Sequence, residues 1–230
     1  MKKTKLMALA LASALCLSLL SGCAGDKKPT GGDTAAPGAA AFKLGGTGPL
    51  TGGAAIYGNA AQNGAKIAVA EINAAGGIQF DLKYQDDTHD AEKAVNAYNA
   101  LKDWGMQISL GSVTSKPCEA TAAETFTDRI FALTPSASST AVIEGKDNVY
   151  QMCFADPNQG SASAQYMKDK GLATTVAVIW KNDDVYSKGI WETFNAKATE
   201  LGIEVVANST FADGNDTDFN VQLTEAKNAG

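Results

Sequence analysis

Beyond residue 41 the chain alternates short apolar runs with longer segments in which small apolar residues return at three and four spacing. That is the pattern of a parallel sheet covered by helices. Residues 42–46 predict a first strand. Residues 55–75 predict a helix with Ala61, Ala65, Ala68 and Ile72 on one face and Gly76-Gly77 as its stop. A second strand is expected over 78–85, then a helix over 90–104 whose acidic opening suits the positive end of a helix dipole. Strands over 107–110, 130–133 and 149–154 follow, with a helix over 116–128 and a polar loop over 134–140 between them. Asp156-Pro157-Asn158 marks a turn into a helix that ends at Lys170, and strand, helix, strand and helix are then expected over 175–180, 185–201, 203–209 and 217–228. The unit is a repeated βα module. If the chain crosses into a second lobe near Asp156, that lobe holds only two strands where a sheet usually has about four to six, so the sequence is expected to be a fragment of a longer protein.

The first 41 residues follow a different pattern. Lys2, Lys3 and Lys5 precede an apolar stretch over 6–20, too short for the roughly 20 residues that span a bilayer. This is a signal peptide. Its last four residues, Leu20-Ser21-Gly22-Cys23, resemble a bacterial lipobox, which implies cleavage after residue 22 and a lipid on Cys23. An ordinary signal peptide with an incidental cysteine is the plain alternative. Residues 24–41, small and rich in Pro and Gly, cannot bury a core. With Cys23 they read as a lipidated tether over 23–41, a coil reaching about 25 Å.

Loss of the signal peptide removes three lysines and no acids, so the formal charge moves from −6 to −9, with Arg129 the only arginine. A nucleic-acid or anionic-lipid partner is disfavoured. Of the four cysteines, Cys16 leaves with the signal peptide and Cys23 takes lipid, which leaves Cys118 and Cys153. In an oxidising compartment these two are a possible disulfide worth about 3 to 4 kcal/mol in the chain-entropy account. Two reduced, buried thiols are the alternative.

Ligands in open α/β sheets sit beyond the carboxyl ends of the strands, and three segments fall at that edge. GGTGPLTGGAAIYG, residues 45–58, joins the first strand to its helix; its glycines permit tight turns and Tyr57 offers an apolar wall with a polar tip. GSVTSKP, residues 111–117, places Ser115 at a helix N-cap, where free N–H groups and a hydroxyl suit a carboxylate. LTPSASST, residues 133–140, brings backbone groups and the Ser138 hydroxyl to the same edge, where carbonyls and hydroxyls accept hydrogen bonds from an ammonium group.

Together with YQDD, FADPNQG and VYSKG, the segments GPLTGGAAIYG, GSVTS and TPSAS make the chain resemble, from about Phe42 to its last residue, the leucine/isoleucine/valine-binding proteins. These are type I periplasmic binding proteins of ABC importers. The resemblance implies an α/β fold of two doubly wound parallel-sheet lobes on a hinge, an N-terminal ligand-binding lobe over 42–155 and a partial, truncated second lobe over 156–230. By the same resemblance Ser115 holds the ligand carboxylate through its hydroxyl and N–H, assisted by the N–H of Ser138. Ser136 offers its carbonyl and Ser138 its hydroxyl to the ammonium group. Tyr57 lines the first lobe's side of the cleft and Tyr186 closes from the second. Asp156, Asn158, Gln159 and Gly160 shape the crossover between lobes and cap a helix. The family's acidic partner for the ammonium group would lie beyond Gly230.

Competing signals are weaker. Gly46, Gly48 and Gly52 with Asp86 suggest a dinucleotide fold, but the last glycine is displaced and Asp86 lies about forty residues on where about twenty are needed. No GK[ST] follows a glycine loop. Asp86, Asp87, His89 and Asp90 lack regular metal-ligand spacing and read as a solvated loop. A single histidine pairs with no nucleophile. The resulting expectation is a lipid-anchored solute-binding component of an ABC importer on the outer face of a bacterial cytoplasmic membrane, extracellular or periplasmic. It is not an enzyme, needs no cofactor or metal, and captures a small amino acid of branched-chain type for an ABC permease. The rival is a ligand-sensing lipoprotein of the same fold that reports to a membrane receptor.

Overall fold

A computed structural model describes residues 40–230. The signal peptide, the lipid site at Cys23, Cys16 and the tether as far as residue 39 lie outside the described residues. Residues 40–230 fall within one compact unit. Its strands are β1 (Phe42–Gly48), β2 (Phe80–Asp86), β3 (Ile108–Ser112), β4 (Phe131–Thr134), β5 (Val149–Gln151), β6 (Thr175–Lys181) and β7 (Glu204–Phe211). Its helices are α1 (Ala55–Ala75), α2 (Ala91–Asp103), α3 (Ser115–Asp128), α4 (Asp156–Lys170), α5 (Val185–Glu200) and α6 (Asn220–Ala229).

The first five strands form one parallel sheet in the order β2-β1-β3-β4-β5, and β6 and β7 pair in parallel as a second. The order turns back between β1 and β3. Successive crossovers there leave towards opposite edges and, being right-handed, onto opposite faces, so a crevice opens beyond the two carboxyl ends. Helix α1 packs on β1 and β2 with Ala61, Ala65, Ala68 and Ile72 turned to the sheet side, the face that its spacing predicts. Helices α2 and α3 pack against each other on the opposite face.

Three small cores carry the structure. Tyr98, Leu101 and Met106 close one under α2, and Cys118, Ala122, Ala132, Ala137, Val142 and Val149 close another under α3. Ala164, Ala198 and Ile203 form the third, beside β6 and β7. The α1 side of β4 and β5 is open: Phe131, Tyr150 and Met152 are exposed there, and an apolar groove of about 570 Å³ runs from Leu44 and Val69 to Leu133 and Met152. Parallel sheets are ordinarily covered on both faces. Among the described residues no helix is long and apolar enough to cross a membrane.

Several expectations change; the last helix, for one, begins at Asn220 and not residue 217. The fifth strand stops at Gln151, not residue 154, because Met152 N–H makes the last ladder bond, to Thr134 O, before the chain turns away. The loop over 134–140 leads into a 3-10 turn, Thr140–Val142, capped by the Ser139 hydroxyl. The N-cap of α3 is Thr114, and Ser115 is the first helical residue. Cys118 and Cys153 are both free thiols, so the possible disulfide is not formed here. Cys118 is buried in the α3 core, and that burial pushes its thiol up to about 11, which makes it inert.

The crossover into the second sheet depends on close backbone approach. Asp156 is the first residue of α4, Pro157 occupies a position where a missing N–H costs nothing, and Gly171 ends the helix in the left-handed region. Gly160 lies against α5 so closely that a Cβ there would fall 2.7 Å from Phe194 N and inside contact distance of Ile190 O. Gly160→Ala should therefore destabilise the protein by about 1–3 kcal/mol through overpacking. Gly64→Ala, on α1 with nothing within reach of its Cβ, should stabilise by about 0.5–1 kcal/mol. Urea unfolding of the two variants measures both, and equal effects would contradict this packing.

Candidate functional site

A cavity of about 400 Å³ opens at the carboxyl ends of β1 and β3, where the strand order reverses. Tyr57, Ser115, Ser136, Ser138 and Tyr186 all line it, brought together from four separate loops and helix starts. Val113, Thr114, His89, Phe154 and Asp184 complete the wall.

Ser115 is the organising residue on the first-sheet side. Its Oγ accepts the N–H of Ser138 at 3.1 Å and that of Ser139 at 3.2 Å. The N–H of Ser138, assigned to the ligand by resemblance, is thus directed at Ser115. The expected cap role also differs, since Ser115 binds the neighbouring loop and not the N–H groups of its own helix. The loop after β4 is clamped elsewhere as well. The Thr134 hydroxyl donates to Ser112 O at 2.7 Å, the Ser136 hydroxyl to Val113 O at 2.7 Å, and the Gln151 amide to Ala137 O and Ser139 O. With the Ser136 hydroxyl tied to Val113, its carbonyl remains the group offered to a ligand by the resemblance.

Tyr57 stands 63% exposed at the start of α1, so it is not core packing. Tyr186 sits in the first turn of α5, and its hydroxyl meets the Gln159 amide of α4 at 3.3 Å. Gln159 thus positions a cleft side chain in addition to shaping the crossover.

Two acidic residues end β2 with opposite electrostatics. Asp86 accepts the N–H of Leu50 at 2.8 Å and of Thr88 at 2.9 Å, and the Thr51 hydroxyl at 2.5 Å. Partial burial opposes ionisation, but these hydrogen bonds prevail and hold its carboxyl below the usual range. Asp87 is fully buried, with Oδ1 accepting the His89 N–H at 2.9 Å and Oδ2 without a partner. Burial, aided by the charges of Asp86 and Asp90, pushes it up to about 6 against the hydrogen bonds that it accepts. The DDTHD run is therefore a pinned turn, not the solvated loop expected. Among the described residues no group of three or more His, Cys, Asp or Glu side chains is arranged to hold a metal ion.

Asp184 caps α5 by accepting Ser187 N–H at 3.1 Å, is 7% exposed, and leaves Oδ1 without a partner. Asp156 lies against Gly189 of the same helix, 1% exposed, with neither carboxyl oxygen making a hydrogen bond. Burial raises its carboxyl above the ordinary range; the nearby Ser138 hydroxyl works against this, and the Asp184 charge adds to the rise. The two carboxylates sit at the positive ends of α4 and α5, which favour negative charge. His89, Phe154 and Asp184 were not singled out as site residues from sequence, although each follows the end of a strand and so falls under the edge rule applied to the other segments.

A doubly wound five-stranded sheet, a crossover to a second parallel sheet and a polar cleft at the switch point define a type I periplasmic binding fold. The chain belongs to the periplasmic binding protein family, whose model matches residues 41–230. It is 33% identical over 190 residues to a Leu/Ile/Val-binding protein homolog of Brucella melitensis, an alignment covering 79% of this chain and 50% of that protein. The branched-chain amino acid transporter substrate binding protein LivJ of Streptococcus pneumoniae, solved with isoleucine, superposes with a TM-score of 0.75 at 31% identity, over 82% of this chain and 54% of that one. A solute binding protein of an R. palustris ABC transporter, solved with benzoate, gives a TM-score of 0.73 at 25% identity, over 81% and 52%. The chain spans about half the length of the curated relatives that it matches.

Asp87 supplies a test of the site's support. A carboxyl near 6 in the folded protein and near 3.8 unfolded binds its proton more tightly when folded. Its contribution to stability is then fully present below about pH 4 and lost as pH rises through 6, a change of about 3 kcal/mol. Asp87→Asn keeps the acceptor for His89 N–H without the charge. Urea unfolding should show variant and wild type alike at pH 4 and the variant more stable by up to about 3 kcal/mol at pH 7; parallel profiles would contradict the burial argument.

Proposed function

We propose that this chain is part of a lipid-anchored, extracytoplasmic solute-binding component of an ABC importer, which captures a small amino acid by hinge closure of two lobes, residues 42–155 and 156–230, and delivers it to a membrane permease. The observation that carries the reading is the convergence of Tyr57, Ser115, Ser136, Ser138 and Tyr186 on one cavity at the switch point. Singled out by the sheet-edge rule and by resemblance, these five residues come from four separate segments and line the same space.

The cavity's chemistry supports a zwitterion. The N-terminus of α3 with the Ser115 hydroxyl suits a carboxylate. On the other wall Asp184 is buried with one oxygen on the Ser187 N–H and the other unpartnered, and leaving a buried carboxylate oxygen unsatisfied is costly. A ligand ammonium group would satisfy it. Tyr57, Val113, Phe154 and Tyr186 offer apolar surface between the two poles, which suits a branched aliphatic side chain. A benzoate has no cation and would leave Asp184 Oδ1 without a partner.

Closure explains the coupling to transport. Tyr57 and Tyr186 face the cleft from elements on either side of the crossover, so a ligand touching both stabilises the closed arrangement and the docking surface that accompanies it. Lipid on Cys23 and the tether over 23–41 would keep the protein at the membrane.

The complete gene product, without its signal peptide, should be stabilised by about 2.7 kcal/mol by leucine, isoleucine or valine at a hundred times the dissociation constant, and not by benzoate. Ser115→Ala should weaken amino-acid binding tenfold or more, at roughly the worth of a hydrogen bond to a charged group. Calorimetric titration reads this apart from any loss of stability in the loop that Ser115 clamps. Binding of benzoate but of no amino acid would replace the ligand class, and unchanged affinity in Ser115→Ala would remove the anchor.

A further inference from the structure

We propose that His89 is a ligand-contacting residue, whose Nε2–H donates to the carboxylate of the bound solute and selects carboxylates over neutral amides at this position. The inference rests on the solute-binding reading above.

The backbone gives the first reason. Thr88 and His89 stand in succession at φ +50° and +65°, a left-handed conformation that costs non-glycine residues roughly 1–2 kcal/mol apiece. Two carboxylates hold them there: Asp86 Oδ1 accepts Thr88 N–H and the buried Asp87 Oδ1 accepts His89 N–H. Strain that is held this firmly beside a cleft points to a side chain whose direction matters.

The direction is set by Thr114, whose Oγ1 lies 2.9 Å from His89 Nδ1. Thr114 has the extended conformation of an N-cap, yet its side chain makes no capping bond. The hydroxyl that would cap α3 is turned to the imidazole. Two consequences follow. The first-turn N–H groups of Ser115 and Lys116 have no side-chain cap, and Pro117 has no N–H at all, so this helix end suits an anion. The ring lines the same cavity as Ser115, and in the proposed tautomer the Thr114 hydroxyl donates to Nδ1 and the imidazole proton is on Nε2. The Ser115 oxygen already accepts two N–H groups, which leaves its own proton to donate. Imidazole, hydroxyl and helix end are three donors around one carboxylate position. An amide ligand would meet them with its own N–H groups on one side and lose at least one of these bonds.

The test uses the complete gene product with leucine as probe. Titration calorimetry should find affinity lowered about tenfold or more in His89→Ala and less in His89→Gln, which retains a donor. Imidazole ¹⁵N spectra of the wild type, assigned by the signal missing in His89→Gln, should show the His89 Nε2 resonance moving on saturation, an effect that a purely structural histidine would not give. If His89→Ala does not fold, the wild-type spectrum and His89→Gln decide. Unchanged affinity in His89→Ala, or an unmoved resonance, overturns the proposal. When Ser115→Ala loses affinity but the His89 variants do not, only this inference falls; when the wild type binds no carboxylate-bearing solute, the functional reading falls with it.

Discussion

The oxygen of one hydroxyl sets the geometry on which the cleft depends. Ser115 Oγ receives the N–H groups of Ser138 and Ser139 and so fixes the distance between the start of α3 and the loop after β4. That loop also passes the chain onward: Ser138 O accepts the N–H of Asp156, the first residue of α4. One contact therefore connects the start of α3, the loop after β4 and the crossover to the second sheet. A buried polar group of this kind is worth most when every partner is satisfied. The supporting bonds from Thr134, Ser136 and Gln151 meet that condition on the loop side.

Charge is graded across the cavity. The start of α3, with uncapped N–H groups, is its positive pole, and buried Asp184 is the acidic residue on the opposite wall. Fixed dipoles and charges of opposite sign at the two ends of a small cavity recognise a zwitterion without reorganising. The apolar groove under α1 is larger, but its wall of Leu44, Ala65, Val69, Leu133 and Met152 has no such poles. It belongs to the incompletely covered sheet face and not to the chemistry.

Periodicity made the architecture legible. Three and four spacing located α1 to its observed ends, and the apolar runs marked every strand, because burial against a sheet imposes these repeats on the sequence. Strand ends were less legible. β3 extends through Gly111 and Ser112, residues of low strand propensity; Ser112 is held by pairing with Thr47 of β1 and by the Thr134 hydroxyl on its carbonyl. Thr114 and Ser115 are both good caps, and only the position of Ser138 decides which hydroxyl goes where. The burial of Asp87 could not be read from DDTHD, since it follows from Gly48 O accepting the Asp87 N–H across strands. Tyr57, Ser115 and Ser138 were legible from the sheet-edge rule and Ser136 and Tyr186 through resemblance; His89 and Asp184 fall under the same rule, but the placement of the loops after β2 and β6 is what brings them to the cavity.

The central claim is that the cleft at the switch point binds a solute by its carboxylate at the start of α3. A crystal structure of the complete gene product grown with leucine tests it most directly. The account predicts the carboxylate within hydrogen-bonding distance of Ser115 Oγ and the first-turn N–H groups of α3, with the ammonium group turned towards Ser136 and Asp184. Leucine bound with its carboxylate away from Ser115, or in the groove beneath α1 with the cleft empty, would contradict it.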